Sequence, residues 1–198
     1  CSGRDLKERA EVDRSGLRAI PPMRGVVRNC FEAVWDCTKP TVCAINGDAV
    51  GGGLELALAC DVRIAAEHAR FGLPESKRGM GANFGSNVLT RMVPPSVYYE
   101  WLYLGELFDG REAERWGLLN STVPADRLAA ETARWTGELV RRAPLALRRY
   151  KATMQRGRDL PLSAALRLSL SPDPYASEDR IEGVAAFVEK REAVWRGR

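Results

Sequence analysis

A run of three glycines, Gly51-Gly52-Gly53, most constrains what this chain can fold into. A short β-rich segment over 41–45 and an Asn-Gly turn signal precede it, and an apolar helical segment over about 53–60 follows. The run therefore predicts a strand, a tight bend and the start of a helix. Its spacing fits neither the dinucleotide fingerprint GxGxxG nor the P-loop GxxxxGK[ST], and a GxSxG nucleophile elbow is absent.

Two explanations of the glycine run stay open. The first N–H groups of a helix have no partner within it, so glycines that expose them suit an anion, or an oxygen that becomes anionic during a reaction. Equally, glycines allow a helix to pack tightly on a strand, with no ligand involved. The sequence alone does not choose between them.

Two glutamates stand beside glycine-rich segments. Glu55 lies in the first turn of the predicted helix, among apolar residues, and Glu75 follows the sequence FGLP next to a second glycine-rich loop over 79–87. An acid near a helix N-terminus is also favoured by the helix dipole alone. If the two side chains converge, they form an acid–base pair. Their spacing in the sequence does not show whether they converge.

Strands alternate with helices in the first part of the chain, which predicts a layered α/β core over 1–124 and a helical region over 125–198. A helix over 24–39 would place Val27, Phe31, Val34 and Trp35 on one face. The other predicted strands cover 61–66 and 120–124. The other predicted helices cover 85–92, 96–105, 109–118, 125–142, 144–157, 161–170 and 177–192.

Composition excludes several classes of protein. Of the 198 residues 45% are hydrophobic, which is enough for a core, and a net charge of +4 does not argue for nucleic acid. No apolar run is long enough to span a bilayer, so no membrane partner is expected. The five cysteines are an odd number and lack CxxC spacing, so no disulfide framework and no zinc site are expected. The single histidine, His68, cannot build a multi-histidine metal site, and we place it on a surface turn. A cytoplasmic location fits best.

Three blocks of the sequence together resemble the crotonase superfamily, the enoyl-CoA hydratases and isomerases. They are SGRDLKER (2–9), KPTVCAINGDAVGGGLELALACDVRIAAEHARFGLPE (39–75) and SEDRIEGVAAFVEKREAVWRGR (177–198). The tail and the segment 93–96 look closest to members of the carnitinyl-CoA dehydratase type, and SGRDLKERA also resembles methylglutaconyl-CoA hydratase. The resemblance implies an α/β fold: a crotonase-like spiral of ββα units, then a C-terminal helical region used in oligomerisation. It also implies that the first ββα units are absent, and the chain, which begins without Met, looks cut.

The resemblance assigns roles to particular residues. Glu55 and Glu75 match the two catalytic glutamates of the hydratases. The backbone N–H groups of Arg4 and Gly52 match the oxyanion hole for the thioester carbonyl. The residues at positions where the family contacts substrate or CoA are Lys7, Gly51, Gly53, Asn83, Phe84, Phe187 and Lys190.

One loop departs from the family pattern. Hydratases usually read something like IPGAGGTQ where this chain has GANFGSNV over 81–88. Phe84 would shorten or reshape the acyl pocket, and Asn83 would bind a polar acyl group. Neutral drift in a loop explains the change equally well. The aromatic helix that follows fits either a buried core or a wall for the acyl tail.

The resemblance implies hydration of a 2-enoyl-CoA, or the reverse dehydration, by a lyase of fatty acid metabolism. No cofactor is expected, because coenzyme A is part of the acyl-CoA substrate. A homotrimer or a dimer of trimers is expected. Two alternatives stay open. One is double-bond isomerisation or another crotonase-type reaction, which can proceed with one carboxylate. The other is a non-catalytic acyl-CoA-binding subunit.

Overall fold

The structure, a computed structural model, describes residues 1–16, 23, 26 and 28–198. The chain divides into two compact units. The first comprises Cys1–Asp36 and Thr41–Thr132, and the second comprises Cys37–Pro40 and Ala133–Arg198. The division at residue 124 that the sequence suggested stays a prediction.

A parallel sheet forms one layer of the first unit. Its strands, in spatial order, are β1 (Val42–Ile45), β3 (Val62–Ala66) and β6 (Ser121–Val123). The register pairs β1 with β3 from Val42 opposite Val62 onward. Strand β3 is buried from its second residue to its last, as expected of a central parallel strand covered on both faces.

A second sheet consists of three short strands, β2 (Ala49–Val50), β4 (Arg70–Gly72) and β5 (Phe108–Asp109). Strand β4 pairs with β2 in parallel and with β5 antiparallel. The chain gives one strand to each sheet and then a helix, first as β1-β2-α3 and then as β3-β4-α4. This confirms the predicted ββα repeat.

Helices cover the sheets of the first unit and account for most of the second. Those that start in the first unit are α1 (Leu6–Arg14), α2 (Cys30–Trp35), α3 (Gly52–Leu58), α4 (Asn83–Leu89), α5 (Pro95–Leu104), α6 (Gly110–Arg115) and α7 (Leu128–Val140), with 3₁₀ turns at Pro74–Arg78 and Ala125–Arg127. The second unit contains the end of α7, then α8 (Pro144–Gly157), α9 (Leu162–Ala165), a 3₁₀ turn at Pro174–Ala176 and α10 (Glu178–Glu189). A C-terminal helical region is therefore confirmed.

The core of the first unit lies around α3 and its two sheets. Leu54, Leu58, Ile64 and Phe71 are completely or almost completely buried. Burying such a side chain stabilises the fold by roughly 1.5–3 kcal/mol relative to exposing it. The core fixes α3 in place and therefore also fixes the glycine run at its start.

Several predicted bounds need correction. Helix α2 is much shorter than the predicted 24–39, because Asn29 and Glu32 close a capping box at its start. It ends at Trp35, well before Pro40. Of its predicted apolar face, Phe31, Val34 and Trp35 pack on the core, whereas Val27 lies outside the described residues.

Helix α4 begins at Asn83 and ends at Leu89, two to three residues earlier than predicted. Helix α9 is a single turn rather than a helix over 161–170. Helix α1, which Asp5 caps, and the two-residue strands β2 and β5 were not predicted. Strands this short carry almost no periodic signal.

Candidate active site

The glycine run occupies the bend between β2 and α3. Gly51 caps α3 with φ 57° and ψ −128°, a backbone conformation that residues with a Cβ avoid. A Cβ on Gly53 would lie 1.9 Å from the carbonyl oxygen of Cys1. That oxygen accepts a hydrogen bond from the Val50 backbone N–H at 3.0 Å. The glycines are therefore required by backbone conformation and by close packing of the chain.

The segment Gly3–Arg4 packs directly on the start of α3. A Cβ on Gly3 would lie 2.7 Å from the Gly52 nitrogen, and a Cβ on Gly52 would lie 4.0 Å from the Arg4 nitrogen. Within the described part of the chain, neither the Arg4 nor the Gly52 backbone N–H donates a hydrogen bond to a protein group. Two free backbone donors therefore lie close together beside the glycine run.

Glu55 lies in the first turn of α3 and is only 7% exposed. Its Oε1 accepts hydrogen bonds from the backbone N–H groups of Phe84, at 2.9 Å, and Gly85, at 2.8 Å. Burial raises the pKa of Glu55, and these two hydrogen bonds oppose the shift because they favour the charged form. The Glu55 carboxyl group is thus held by the start of α4.

Glu75 lies in the 3₁₀ turn that Pro74 begins. Its Oε2 is buried and has no hydrogen-bond partner among the described residues. Burial raises the pKa of Glu75, its own backbone N–H opposes this, and the negative charge of Glu55 raises the pKa further. A buried acceptor without a partner is costly, and this oxygen is available to accept a hydrogen bond from a bound molecule.

The two carboxyl groups lie near enough for the charge of Glu55 to raise the pKa of Glu75, a proximity that the sequence did not decide. The Cβ that Gly51 lacks would lie 3.0 Å from Glu75 Oε1. The Cβ that Gly85 lacks would lie 3.5 Å from Glu55 Oε1 and 2.9 Å from Leu73 Cδ1. Glycines on both loops therefore clear the space around the two carboxyl groups.

The second loop contacts Glu55 through the start of α4. The Phe84 ring is buried and packs at 5.6 Å from the Phe31 ring and 6.0 Å from the Trp35 ring, measured between centroids. Asn83 is partly buried, and its carbonyl oxygen accepts a hydrogen bond from Asn87 Nδ2. The sequence did not predict that the backbone N–H groups of Phe84 and Gly85 bind Glu55. The glycine-rich composition of 79–87 was the only indication of such donors.

The remaining predicted contact residues lie at exposed positions. Lys7 is an exposed residue near the start of α1. Phe187 and Lys190 belong to the second unit, at the end of α10. Phe187 is 86% exposed, and Lys190 ends the helix with φ 56°. Their roles stay predictions.

The other sequence expectations concern metals, membranes and cysteines. Among the described residues no three His, Cys, Asp or Glu side chains gather closely enough to hold a metal ion. His68 is exposed on a turn, as predicted. All five cysteines are free thiols. No helix in the described ranges combines the length and apolar character needed to cross a bilayer.

The chain matches one known protein family along its whole length. Residues 1–198 match the family described as enoyl-CoA hydratase/isomerase. A carnitinyl-CoA dehydratase from Citrobacter koseri is 38% identical over 172 residues, which cover 83% of this chain and 66% of the relative. The corresponding protein of Salmonella typhimurium is 37% identical with the same coverage. The chain thus spans just under two thirds of the length of these curated relatives.

Solved structures of similar proteins share the fold. An enoyl-CoA hydratase from Bacillus anthracis superposes with a TM-score of 0.88 at 32% identity, covering 100% of this chain and 77% of that one. A putative short chain enoyl-CoA hydratase from Novosphingobium aromaticivorans gives a TM-score of 0.77 at 36% identity, covering 82% and 65%.

Proposed function

Because the chain belongs to the enoyl-CoA hydratase/isomerase family, the crotonases, we propose that the full-length protein is a lyase that hydrates a 2-enoyl-CoA thioester or catalyses the reverse dehydration. One observation carries the proposal. Two carboxyl groups with raised pKa values, those of the buried Glu55 and the half-buried Glu75, act on each other electrostatically beside two free backbone donors. The curated relatives of this chain in Citrobacter and Salmonella are dehydratases of an acyl-CoA.

The backbone N–H groups of Arg4 and Gly52 act as the oxyanion hole in this proposal. They donate hydrogen bonds to the thioester oxygen, which gains negative charge as the double bond is attacked. One such donor typically contributes about 3 kcal/mol of transition-state stabilisation. The absence of other acceptors for these two amides among the described residues supports the assignment. Gly51 and Gly53 leave the backbone accessible.

The two glutamates hold the water molecule and move its protons. As the water oxygen bonds to Cβ of the substrate, Glu55 takes a proton from it, and Glu75 delivers a proton to Cα. The assignment fits the surroundings of each group. Two backbone donors favour a carboxylate at Glu55. The unpartnered Oε2 and raised pKa of Glu75 suit a carboxyl group that holds a proton.

Coenzyme A enters as part of the substrate, so no separate cofactor is proposed. We assign Lys7, Phe187 and Lys190 to its nucleotide and phosphates, and Asn83 and Phe84 to the acyl pocket, on the strength of the family pattern. A cytoplasmic location is proposed because an odd number of cysteines without CxxC spacing fits a reducing compartment.

Glu75→Gln tests the proposal, because it removes the proton donor with little change of shape. Hydration, followed as loss of the enoyl-thioester ultraviolet absorbance over a panel of short 2-enoyl-CoAs, should fall by about 10²–10⁴-fold. CoA binding should be unchanged. Glu67→Gln, which changes an exposed acid on a turn, is the matched control and should keep full activity.

The outcome also separates the alternatives. Activity of Glu75→Gln within a few-fold of the wild type would contradict the assignment. Conversion of a 3-enoyl-CoA by the wild type without hydration would indicate isomerisation. CoA binding without any turnover of the wild type would indicate a binding subunit.

A further inference from the structure

Gly85 contacts the Glu55 side chain through its backbone N–H group. It is the third residue of α4, where a backbone N–H has no carbonyl partner within the helix. This N–H group donates instead to Glu55 Oε1 at 2.8 Å, and the N–H group of Phe84 donates to the same oxygen at 2.9 Å. One oxygen of the Glu55 carboxyl group is therefore fixed by two donors.

The other oxygen of Glu55 has no protein partner. Oε2 accepts no hydrogen bond from a described residue, and it is not completely enclosed. Hydrogen bonds to an ionised carboxyl group are among the stronger ones, so the pair on Oε1 holds the group in one orientation. Oε2 is then the oxygen that is free to accept a proton from a water molecule.

Gly85 also lacks a side chain at a point where there is no space for one. A Cβ there would lie 2.9 Å from Leu73 Cδ1, 3.4 Å from Glu55 Cγ and 3.5 Å from Glu55 Oε1. Leu73 is only 1% exposed, so its side chain is enclosed by its neighbours. Alanine, which is the better helix former, would therefore press on Leu73 and Glu55 together.

The contact with Leu73 connects Gly85 to the second acid as well. Leu73 immediately precedes the 3₁₀ turn Pro74–Arg78, which carries Glu75. Gly85 thus packs on the side chain of one acid and on the residue that leads into the turn of the other. A shift of the first turn of α4 would change the placement of both carboxyl groups.

We propose that Gly85 is a positioning residue for the hydration, which holds Glu55 through Oε1 so that Oε2 is the oxygen that acts as the base. As the water oxygen bonds to Cβ of the substrate, its proton passes to Oε2. The double-bond electrons move to the thioester oxygen, and Glu75 supplies the proton at Cα. Gly85 acts through Glu55 and touches no reacting atom. The inference rests on the proposed function.

Few ionisable groups surround Glu55. Helix α3 packs mainly on β2, α4 and α2. Neither β2 nor α4 contains an ionisable side chain, whereas α2 contributes the exposed Cys30 and Glu32, whose Oε2 accepts a hydrogen bond from the Asn29 backbone N–H. The remaining group is Glu75, whose pKa responds to the charge of Glu55. The bonds from α4 lower the pKa of Glu55 against burial, so weakening them should raise it.

Gly85→Ala in the full-length protein tests this role. Hydration of the best 2-enoyl-CoA should show a kcat lower by about 10²-fold and a nearly unchanged KM, because a small displacement of a catalytic group is enough for such a loss. The acid limb of the kcat profile should move to higher pH, since Glu55 must be ionised to take a proton. A purely structural loss would not move that limb.

Two further variants complete the test. Gly137→Ala is the matched control, because a Cβ on this helical glycine would have no neighbour within 4 Å among the described residues, and it should change neither kcat nor the pH profile. Leu73→Val combined with Gly85→Ala removes the atom that the new Cβ meets first. The double variant should regain at least about tenfold in kcat and return the acid limb towards that of the wild type.

Two results would overturn the inference. One is a wild-type kcat and pH profile in Gly85→Ala. The other is a lower kcat with an unmoved acid limb and no recovery in the double variant, which would show that Gly85 is required only for packing.

A measurement on the unsubstituted protein covers the case in which Gly85→Ala does not fold. Labelling with ¹⁵N-glycine and carbonyl-¹³C phenylalanine selects, for NMR, the glycine amides that follow a phenylalanine, which in this chain are Gly72 and Gly85. The Gly85 amide proton shift should follow the ionisation of Glu55 and lose this pH dependence in Glu55→Gln. A Gly85 signal that does not respond to pH would overturn the inference. A responding signal in a wild type that hydrates no substrate would refute the proposed function alone.

Discussion

At the residue scale, Glu75 combines a buried carboxyl oxygen, which has no partner within the described chain, with a raised pKa. Such a group is expected to favour function over stability. A carboxyl group whose pKa is raised on folding binds its proton more tightly in the folded state than in the unfolded state. Its contribution to the free energy of unfolding is therefore complete below pH 4.5, the ordinary pKa of a glutamate. It is lost as the pH rises through the raised pKa of the folded state.

Glu75→Gln should accordingly stabilise the protein at neutral pH. Its thermal midpoint should exceed that of the wild type at pH 7, because the glutamine carries no charge that burial penalises. The difference should shrink as the pH falls below 4.5, where the wild-type carboxyl group is protonated in both states. Thermal unfolding of both proteins across this range is the measurement. A difference that is constant with pH would contradict the argument.

A second residue-scale prediction concerns the glycine run. Gly53→Ala should destabilise the protein by roughly 1–3 kcal/mol or more, because the added Cβ would meet the Cys1 carbonyl, a backbone group that cannot rotate away. Gly47→Ala is the matched control, since its Cβ would have no neighbour within 4 Å among the described residues. Denaturant unfolding of both variants tests this. An equal loss of stability in the two variants would show that close packing is not why position 53 requires glycine.

At the scale of elements, helix α2 supports the site indirectly. Its capping box at Asn29 and Glu32 fixes where it begins, and its rings Phe31 and Trp35 pack on Phe84, whose backbone N–H holds Glu55. The helix is only six residues long, too short to be stable by itself. Capping and packing together keep it in place.

Asn29→Ala should therefore cost about 1 kcal/mol of stability, the usual effect of losing an N-cap side chain. Asn29→Asp keeps an oxygen acceptor for the Glu32 backbone N–H, so this variant should lose much less stability. Chemical denaturation measures both values. Identical losses for Ala and Asp would show that the side-chain cap does not hold α2.

At the scale of the whole molecule, helix α10 exposes an apolar face that is available for contact with other copies of the chain. Ile181, Val184 and Val188 are 62%, 58% and 73% exposed, and they recur at helical spacing. An unpartnered apolar stripe of this kind is characteristic of an interaction surface. We propose, in agreement with the family pattern, that it contributes to a homotrimer or a dimer of trimers.

The double change Ile181→Asp/Val188→Asp should shift the full-length protein to a smaller species, because it introduces charge into the proposed interface. Light scattering coupled to size-exclusion chromatography reports the mass. Ser163→Asp adds a charge at an exposed polar position of the second unit and should leave the mass unchanged. An unchanged mass for the double variant would remove α10 from the interface.

Local chemistry in the sequence determined most of the elements and pointed to the candidate site. The strand at 42–45, the bend at Gly51-Gly52-Gly53 and the helix at 144–157 follow from β-branched residues, glycine conformation and helical periodicity, all of which act within a few residues. The motif blocks also pointed to the family and to Glu55 and Glu75, because a motif is a pattern of neighbouring residues that the sequence displays directly.

Tertiary structure alone decided what lies next to what. It brought Glu75 to Gly51 and gave Glu55 its two donors from Phe84 and Gly85, about thirty residues away. It also shortened α2 and α9. The physical reason is that such contacts depend on how the two sheets and their helices pack, which is set by burial over the whole unit and leaves no periodic trace in the sequence around any one residue.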